Sequence, residues 1–408
     1  MPLGGKSAAR NRSPGGNVAS VLDLDRVRRD TPGCLDKVFT DSAGSSLPPQ
    51  VVLDTMRGHL ELEATIGGYR AGAERLGELA AVKSSIGRLI GADATSIALS
   101  DSATRAWCDF FYSIPLGPDD RVLISESEYA ATAIAALQRT RNVDVVPSDA
   151  TGQIDLDALE RMLDEHVKVV SVVHIPTNNG LVNPVRAVAE RAHAVGALVL
   201  LDACQSVGQV RVNVAELDVD ALSATGRKWL RGPRGTGFLY VRPDLIERIE
   251  PHVLDLHSAE WTGPSEFRIA ADATRFEMWE CDVAARLGLG AAVDYLLELG
   301  PEDVFDAVAE RGARLRAQLA PTATVRDIGA RKGGIVTFTV DGIAPVDIRD
   351  RLAARGVTVT VSHRSSTLLD MTHRGLDSVV RASPHYFVSH ADLDRFAHAL
   401  SEVVAESE

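Results

Sequence analysis

Two residues of opposite charge, Asp202 and Lys228, each stand beside an apolar run of strand length. Residues 197–201 read Ala-Leu-Val-Leu-Leu, and Asp202 follows at their carboxyl end, the edge of an α/β sheet where ligands gather. Lys228 lies between Arg227 and Trp229, ahead of a Gly- and Pro-rich loop and a second apolar run at residues 237–241. A carboxylate and an amine so placed suit pyridoxal phosphate, whose aldehyde needs an amine to hold it and whose ring nitrogen needs an anionic partner to stay protonated. The protonated ring draws electrons from a substrate's α-carbon, and a lysine displaced by substrate is free to move the α-proton. A solvated Asp at a strand end and a Lys that offsets an acidic surface are the other account of these residues. Spacing alone does not choose between the two.

The wider pattern does. D-A-C-Q-S-V-G at residues 202–208, then R-K-W at 227–229 and G-P-R-G-T-G at 232–237, resembles the class V aminotransferase family of fold-type I pyridoxal phosphate enzymes. That family includes cysteine desulfurases, isopenicillin epimerases, kynureninases and several C–S lyases. The resemblance implies that Asp202 pairs with the pyridine nitrogen, Gln205 lies toward the phenolic oxygen and Lys228 holds the cofactor covalently. The family lysine usually follows a His, whereas here Arg227 stands in that place and inherits the expectation of a phosphate contact.

Further family positions fall in order along the chain. Ser102-Ala103-Thr104 corresponds to the phosphate turn, where unpaired N–H groups at a helix start suit an anion; the other reading is a plain helix cap. Tyr129 follows Glu128 where relatives carry a His or another aromatic ring, and a flat side chain there can stack on the pyridine face. In Thr177-Asn178-Asn179-Gly180, Asn178 corresponds to an asparagine near the phenolic oxygen and the substrate carboxylate, although Asn-Asn-Gly is also common turn chemistry. Ala43 and Gly44 form a small-residue turn on the substrate side or an ordinary strand-to-helix turn. Arg381, in R-A-S-P-H-Y, corresponds to the arginine that grips the substrate α-carboxylate, as a planar guanidinium can do bidentately.

These residues need a scaffold, and the sequence supplies alternating strand and helix patterns. Strands are expected near 95–100, 143–148, 167–176, 197–201 and 237–241, residues 121–132 read as a strand running into a helix, and helices are expected at 78–90, 155–166 and 185–194. Such alternation argues a mainly parallel sheet with helices on both faces. With the resemblance, the expected fold is a fold-type I transferase: a large domain at residues 21–280 with a seven-stranded sheet, and a small α+β domain at 281–408. The long apolar helix after Arg275-Phe276-Glu277 opens the second domain, followed by helices at 304–319, 346–355 and 391–404 and by strands at 322–329, 334–342 and 356–362. Residues 1–20, polar with Gly and Pro and lacking an apolar h-region, read as a disordered tail. Residues 67–74, G-G-Y-R-A-G-A-E, read as a loop, and 253–263 as another on the substrate side.

Composition narrows the partners. A chain of 408 residues, 45% hydrophobic, can bury a large core, and its net charge of -13 repels nucleic acid and anionic membranes, leaving a small molecule. The apolar runs are far short of a membrane span. Cys34, Cys108, Cys204 and Cys281 are scattered without C-x-x-C spacing, so no metal is expected, and reduced thiols fit a cytoplasmic protein. A homodimer is implied by the family, whose sites are built at the subunit interface. Many relatives touch the neighbouring cofactor's phosphate with a Gly-Thr pair after R-F-E, but here Trp279, Glu280 and Cys281 occupy that stretch.

The reaction is argued from one absence. Cysteine desulfurases of the family need a nucleophilic Cys on a small-domain loop, and no Cys follows Cys281. L-D-L-H-S-A-E-W, R-F-E-M-W-E and V-R-A-S-P-H-Y look closest to isopenicillin-epimerase-like proteins and to C–S lyases of ergothioneine and sulfur-antibiotic biosynthesis. The expectation is therefore β-elimination from a cysteine S-conjugate, giving a thiol, pyruvate and ammonia in specialised metabolism. Transamination, epimerisation or decarboxylation-dependent oxidative deamination of an amino acid is the alternative, and a catalytically idle binding protein of the same fold the remote one.

Overall fold

The computed structural model describes residues 22–407; the tail expected at residues 1–20 lies outside the described residues. Seven strands form the central sheet: β1 (Ile97–Ser100), β2 (Arg121–Ser125), β3 (Val143–Val146), β4 (Val167–Val173), β5 (Leu198–Asp202), β6 (Ala221–Thr225) and β7 (Gly237–Val241). Their spatial order is β1-β7-β6-β5-β4-β2-β3, and β7 alone runs antiparallel to its neighbours. This is the expected fold-type I sheet. Central strands must be apolar on both faces when helices cover both. In β5, Val199 and Leu201 join the core on one face while Leu200 packs on the other with Trp107 and Phe110. Each such buried aliphatic side chain contributes about 1.5–3 kcal/mol by leaving water.

The parallel strands all end at one edge, so the segments following them meet there. The turn after β1 opens helix Ala103–Phe111, that after β2 opens Ala130–Arg139, and β6 runs into Gly226, Arg227 and Lys228. Helix Val185–Ala194 returns the chain from β4 to β5, at the bounds read from its periodicity.

A second, four-stranded antiparallel sheet has the order Thr324–Val325, Val336–Thr339, Ser378–Ala382, Thr360–His363. Helices Pro301–Leu319, Pro345–Ala354 and His390–Ala405 accompany it, the last opened by a capping box of Ser389 and Asp392. The chain's beginning joins this unit. Val38–Phe39 pairs in parallel with Val357–Thr358, and Asp41 bridges to Ser383. Helix Val283–Leu299, with which the second domain was expected to open, packs against Gln50–Ile66 and Leu76–Ile90.

Two loops of the sequence reading are regular structure. Residues 67–74 are mostly the helix Gly68–Glu74: Gly67, at φ +84, breaks the preceding helix for one residue, and Ala71 then buries against the body of the protein. Residues 253–263 end in strand Ala259–Gly263, which forms an antiparallel ribbon with Glu266–Ile269. Conversely, the strand expected at 322–329 is only Thr324–Val325.

Candidate functional site

Asp202 and Lys228 face one cleft at the carboxyl edge of the sheet. Ala103, Thr104, Tyr129 and Gln205 line it with them, so the phosphate-turn, stacking and cofactor candidates are brought together. Asp202 is buried at the end of β5, where its Oδ1 accepts the Cys204 N–H at 2.8 Å. Lys228 lies in the turn after β6. Burial lowers its amine from the ordinary lysine value, against the pull of the neighbouring Asp202, with Arg227 and Arg381 adding to the lowering. A buried amine that sheds its proton readily is what an aldehyde-binding lysine requires.

Several contacts fix that turn. The carbonyl of Lys228 accepts the Arg231 N–H at 3.0 Å, and the carbonyl of Arg227 accepts the Ser46 N–H at 2.8 Å. Arg231 itself, at φ +63, is buried and donates to the Leu47 carbonyl at 2.8 Å, the Tyr386 hydroxyl at 2.7 Å and Thr31 Oγ1 at 2.5 Å. Trp229 donates its indole N–H to Gln205 Oε1 at 2.9 Å, joining the lysine turn to the Asp202 turn. Gly208, at φ +96, allows the closeness, since a Cβ there would lie 2.6 Å from the Trp229 carbonyl carbon.

At the phosphate turn, Ser102 Oγ is already the helix cap, accepting the Arg105 N–H at 3.2 Å. What remains for an anion is the first turn of N–H groups at Ala103 and Thr104, with the helix dipole behind them. Strand β7 lies directly against this turn: a Cβ on Gly237 would come within 2.7 Å of the Ser102 carbonyl carbon. Tyr129, 37% exposed, lines the cleft as the N-cap residue of helix Ala130–Arg139.

The substrate-side candidates meet because the N-terminal segment runs along the small sheet. Ala43 N–H donates to Ser383 Oγ at 2.9 Å, two residues beyond Arg381. Arg381 Nη1 donates to Thr177 Oγ1 at 2.6 Å and Nη2 to Asp41 Oδ1 at 3.4 Å, while its buried Nε has no partner. Gln205 Nε2 donates to the Ala43 carbonyl at 3.0 Å and to Thr177 Oγ1 at 3.2 Å. With its Oε1 taken by Trp229, the Gln205 amide is a tie between segments. Arg227 turns toward the substrate side, donating to the Gly44 carbonyl. Asn178 is buried beside the cleft, with Nδ2 donating to Thr367 Oγ1 and Met371 Sδ at 2.8 Å each and Oδ1 without a partner.

Other lining residues escaped the sequence reading: Trp107, Ser127, Thr132, Thr177, Ser223 and Thr367. For Ser223 a signal existed. Ser223 and Thr225 are polar residues two apart in the otherwise apolar run A-L-S-A-T, hence on one face of a buried strand. Cys204 also lines the cleft, and burial pushes its thiol far up, so it stays protonated.

The sequence matches the family described as Aminotransferase class-V over residues 38–396. The chain belongs to the class-V aminotransferase family. A probable cysteine desulfurase of Methanothermobacter thermautotrophicus is 27% identical over 394 residues, covering 94% of this chain and 98% of that protein. A cysteine desulfurase of Dickeya dadantii is 29% identical over 412 residues, covering 93% and 96%. Among solved structures, the cysteine desulfurase CsdA of Escherichia coli superposes with a TM-score of 0.86 at 20% identity, covering 95% of this chain and 99% of that one. The cystine C–S lyase C-DES, in complex with its product cysteine persulfide, superposes at 0.82 with 21% identity, covering 91% and 99%. At such identities these structures show the fold. The class-V family depends on pyridoxal phosphate, and this site fits the group: a lowered amine, a buried carboxylate at the sheet edge, an aromatic side chain and an open helix N-terminus converge on one cleft. Among the described residues no His, Cys, Asp and Glu cluster suited to a metal occurs, and no helix is long and apolar enough to cross a membrane.

Proposed function

We propose that this class-V chain cleaves the C–S bond of a cysteine S-conjugate by β-elimination, with pyridoxal phosphate held on Lys228, releasing a thiol, pyruvate and ammonia. The carrying observation is the absence of a usable thiol. The segment that covers the cleft from the small sheet presents Thr367, no Cys follows Cys281, and the Cys204 thiol is held protonated by burial. A route that hands sulfur to an enzyme thiolate has no thiolate to use. Elimination needs none, because sulfur leaves from the β-carbon as a thiolate once the α-proton is gone.

In this reading the bound cofactor supplies the electron sink, and the chain's residues do the rest. Asp202 keeps the ring nitrogen protonated, and the first turn at Ala103 and Thr104, capped by Ser102, holds the phosphate. Tyr129 would stack on the ring and Asn178 would face its phenolic edge, with Gln205 holding Ala43, Thr177 and Trp229 in place beside it. Arg381, whose Nε has a free donor, receives the substrate α-carboxylate with Ala43 and Gly44 close by. Lys228 Nζ takes the α-proton, burial having lowered its basicity from the ordinary lysine value. Arg227, directed at the Gly44 carbonyl, closes the substrate side. Four unpaired cysteines suit a reducing cytoplasm, and a specialised pathway suits an S-conjugate substrate. A homodimer is supported by the exposed apolar face of Tyr69, Leu76 and Trp279, which lines one open cleft.

Incubation with a panel of cysteine S-conjugates, assaying pyruvate, free thiol and carbon dioxide together, tests the reaction. Pyruvate and thiol in equal amounts are expected. Carbon dioxide with an aldehyde, or a keto acid that keeps its sulfur, would refute it.

A further inference from the structure

Between strands Thr360–His363 and Ser378–Ala382 the chain leaves its own sheet and crosses to the carboxyl edge of the large one. A turn at Arg364–Ser366 leads into the short helix Leu368–His373. This excursion is tied to two turns of the large sheet. From the turn after β4, Asn178 Nδ2 donates to Thr367 Oγ1 at 2.8 Å and Asn179 Nδ2 to Asp370 Oδ1 at 3.5 Å. From the turn after β2, the Glu126 carbonyl accepts the Asp370 N–H at 3.1 Å, and Glu126 Oε1 meets His373 Nδ1 at 2.6 Å. Thr367 lines the cofactor cleft, so whatever moves this segment opens that wall. Met371 is its buried apolar anchor, while Leu368 and Leu369 are exposed. A segment held mainly by polar ties, with little apolar burial, opens at a small fraction of the global unfolding free energy.

We propose that residues 364–374 are a hinged cover over the cleft, latched by the Glu126–His373 ion pair, so that access to Lys228 tightens while the pair is charged and loosens when His373 gives up its proton. The groups around the latch are few. His373 faces Glu126 across the gap and Asp370 on its own helix. Asp370 is itself paired with Arg374 at 3.2 Å, and Arg374 also donates to the Arg326 carbonyl. The second oxygen of Glu126 accepts the Ser148 N–H at 3.0 Å. Burial works against Glu126's charge, yet the hydrogen bonds from His373 and Ser148 hold its carboxyl below the usual range. Glu126's hydrogen bond and charge in turn raise His373 above 6.5. A group raised in the closed state stabilises that state fully below its open-state value and loses the effect as pH rises through the closed-state one. The latch is therefore strongest in mildly acid solution, where Glu126 is still ionised, and weakens as pH rises through the raised His373 value.

The proposal concerns access and stands whichever bond the site breaks, so its readout is not turnover. Amide hydrogen exchange on the full-length holoenzyme, corrected for intrinsic rates, should show residues 367–374 exchanging about two- to fivefold faster at pH 8.5 than at pH 6, the range a solvent-exposed pair supports. His373→Gln should exchange at the fast rate at both pH values, and Glu126→Gln should match it. The double variant should be no faster than either single one, because both remove the same tie. Protection at pH 6 that is the same in wild type and H373Q, or that is independent of pH in the wild type, would overturn the latch.

Discussion

Replacing Glu128 by Gln should make the protein more stable at pH 8 and leave it little changed near pH 4.5. Glu128 is buried in the turn after β2, its Oε1 accepting from Thr132 Oγ1 at 2.6 Å and from the Tyr129 N–H at 3.2 Å while Oε2 has no partner. Burial, reinforced by the negative charge of Asp202 and opposed by the Thr132 hydrogen bond, pushes its carboxyl from 4.5 up to about 7. The folded chain therefore keeps a proton that the unfolded chain loses above 4.5. Folding stability falls as pH rises through that window and levels off above it. A gap of about 2.5 pH units at ~1.4 kcal/mol per unit corresponds to ~3 kcal/mol. Gln keeps an acceptor for Thr132 and Tyr129 but carries no charge, so the variant escapes this loss. Urea midpoints of both proteins in cofactor-free form, at steps from pH 4.5 to 8, isolate the effect, because every other titration cancels in the difference. A difference that stays constant within ~0.5 kcal/mol across the range would refute the reasoning. Loading the cofactor should narrow the difference, since a protonated ring nitrogen against Asp202 offsets the charge that helps keep Glu128 neutral.

Arg381→Lys should weaken amino-acid binding about ten- to a hundredfold, from the ~1.5–3 kcal/mol of a charged bidentate contact, while cofactor content measured by absorbance stays unchanged. Unaltered affinity would remove Arg381 from the carboxylate site. Sedimentation equilibrium should give twice the chain mass, and Trp279→Glu, placed in the exposed apolar face, should shift it toward the monomer. A wild type at the single-chain mass would count against the dimer.

What could be read from the sequence divides along a physical line. Strands apolar on both faces and helices with a clear period were legible because burial acts on each residue where it stands: the bounds of Val185–Ala194 and Gly237–Val241 match the pattern. Asp202 and Lys228 stood out beside apolar runs, but the motifs around them, D-A-C-Q-S-V-G and R-K-W, and not burial, chose the cofactor reading. The helix Gly68–Glu74 was hidden by three glycines in eight residues, since propensity argues against a helix that Ala71 secures by packing. The docking of the N-terminal segment on the small sheet was hidden differently. The segment opening at Val38 reads as a short strand, but its partner lies at Val357–Thr358, across most of the chain, and no local pattern names it.

The site shows the consequence. Residue types predicted which groups converge but not what each one holds. Gln205 had been placed by resemblance at the cofactor's phenolic side, yet both ends of its amide engage protein groups, so its first effect is to keep Ala43, Thr177 and Trp229 in register. The resemblance implies a phosphate contact for Arg227; its guanidinium also donates to the Gly44 carbonyl, a partner that no motif announces. The polar covering segment, S-H-R-S-S-T-L-L-D-M-T-H-R-G, gave no hint of a helix or of a partner, because His373 finds Glu126 at a separation of 247 residues. Local pattern reports what a residue must bury; it is silent on polar pairs made by two distant turns. In this chain the elements that carry the cofactor chemistry are of the first kind, and those that decide how substrate reaches it are of the second.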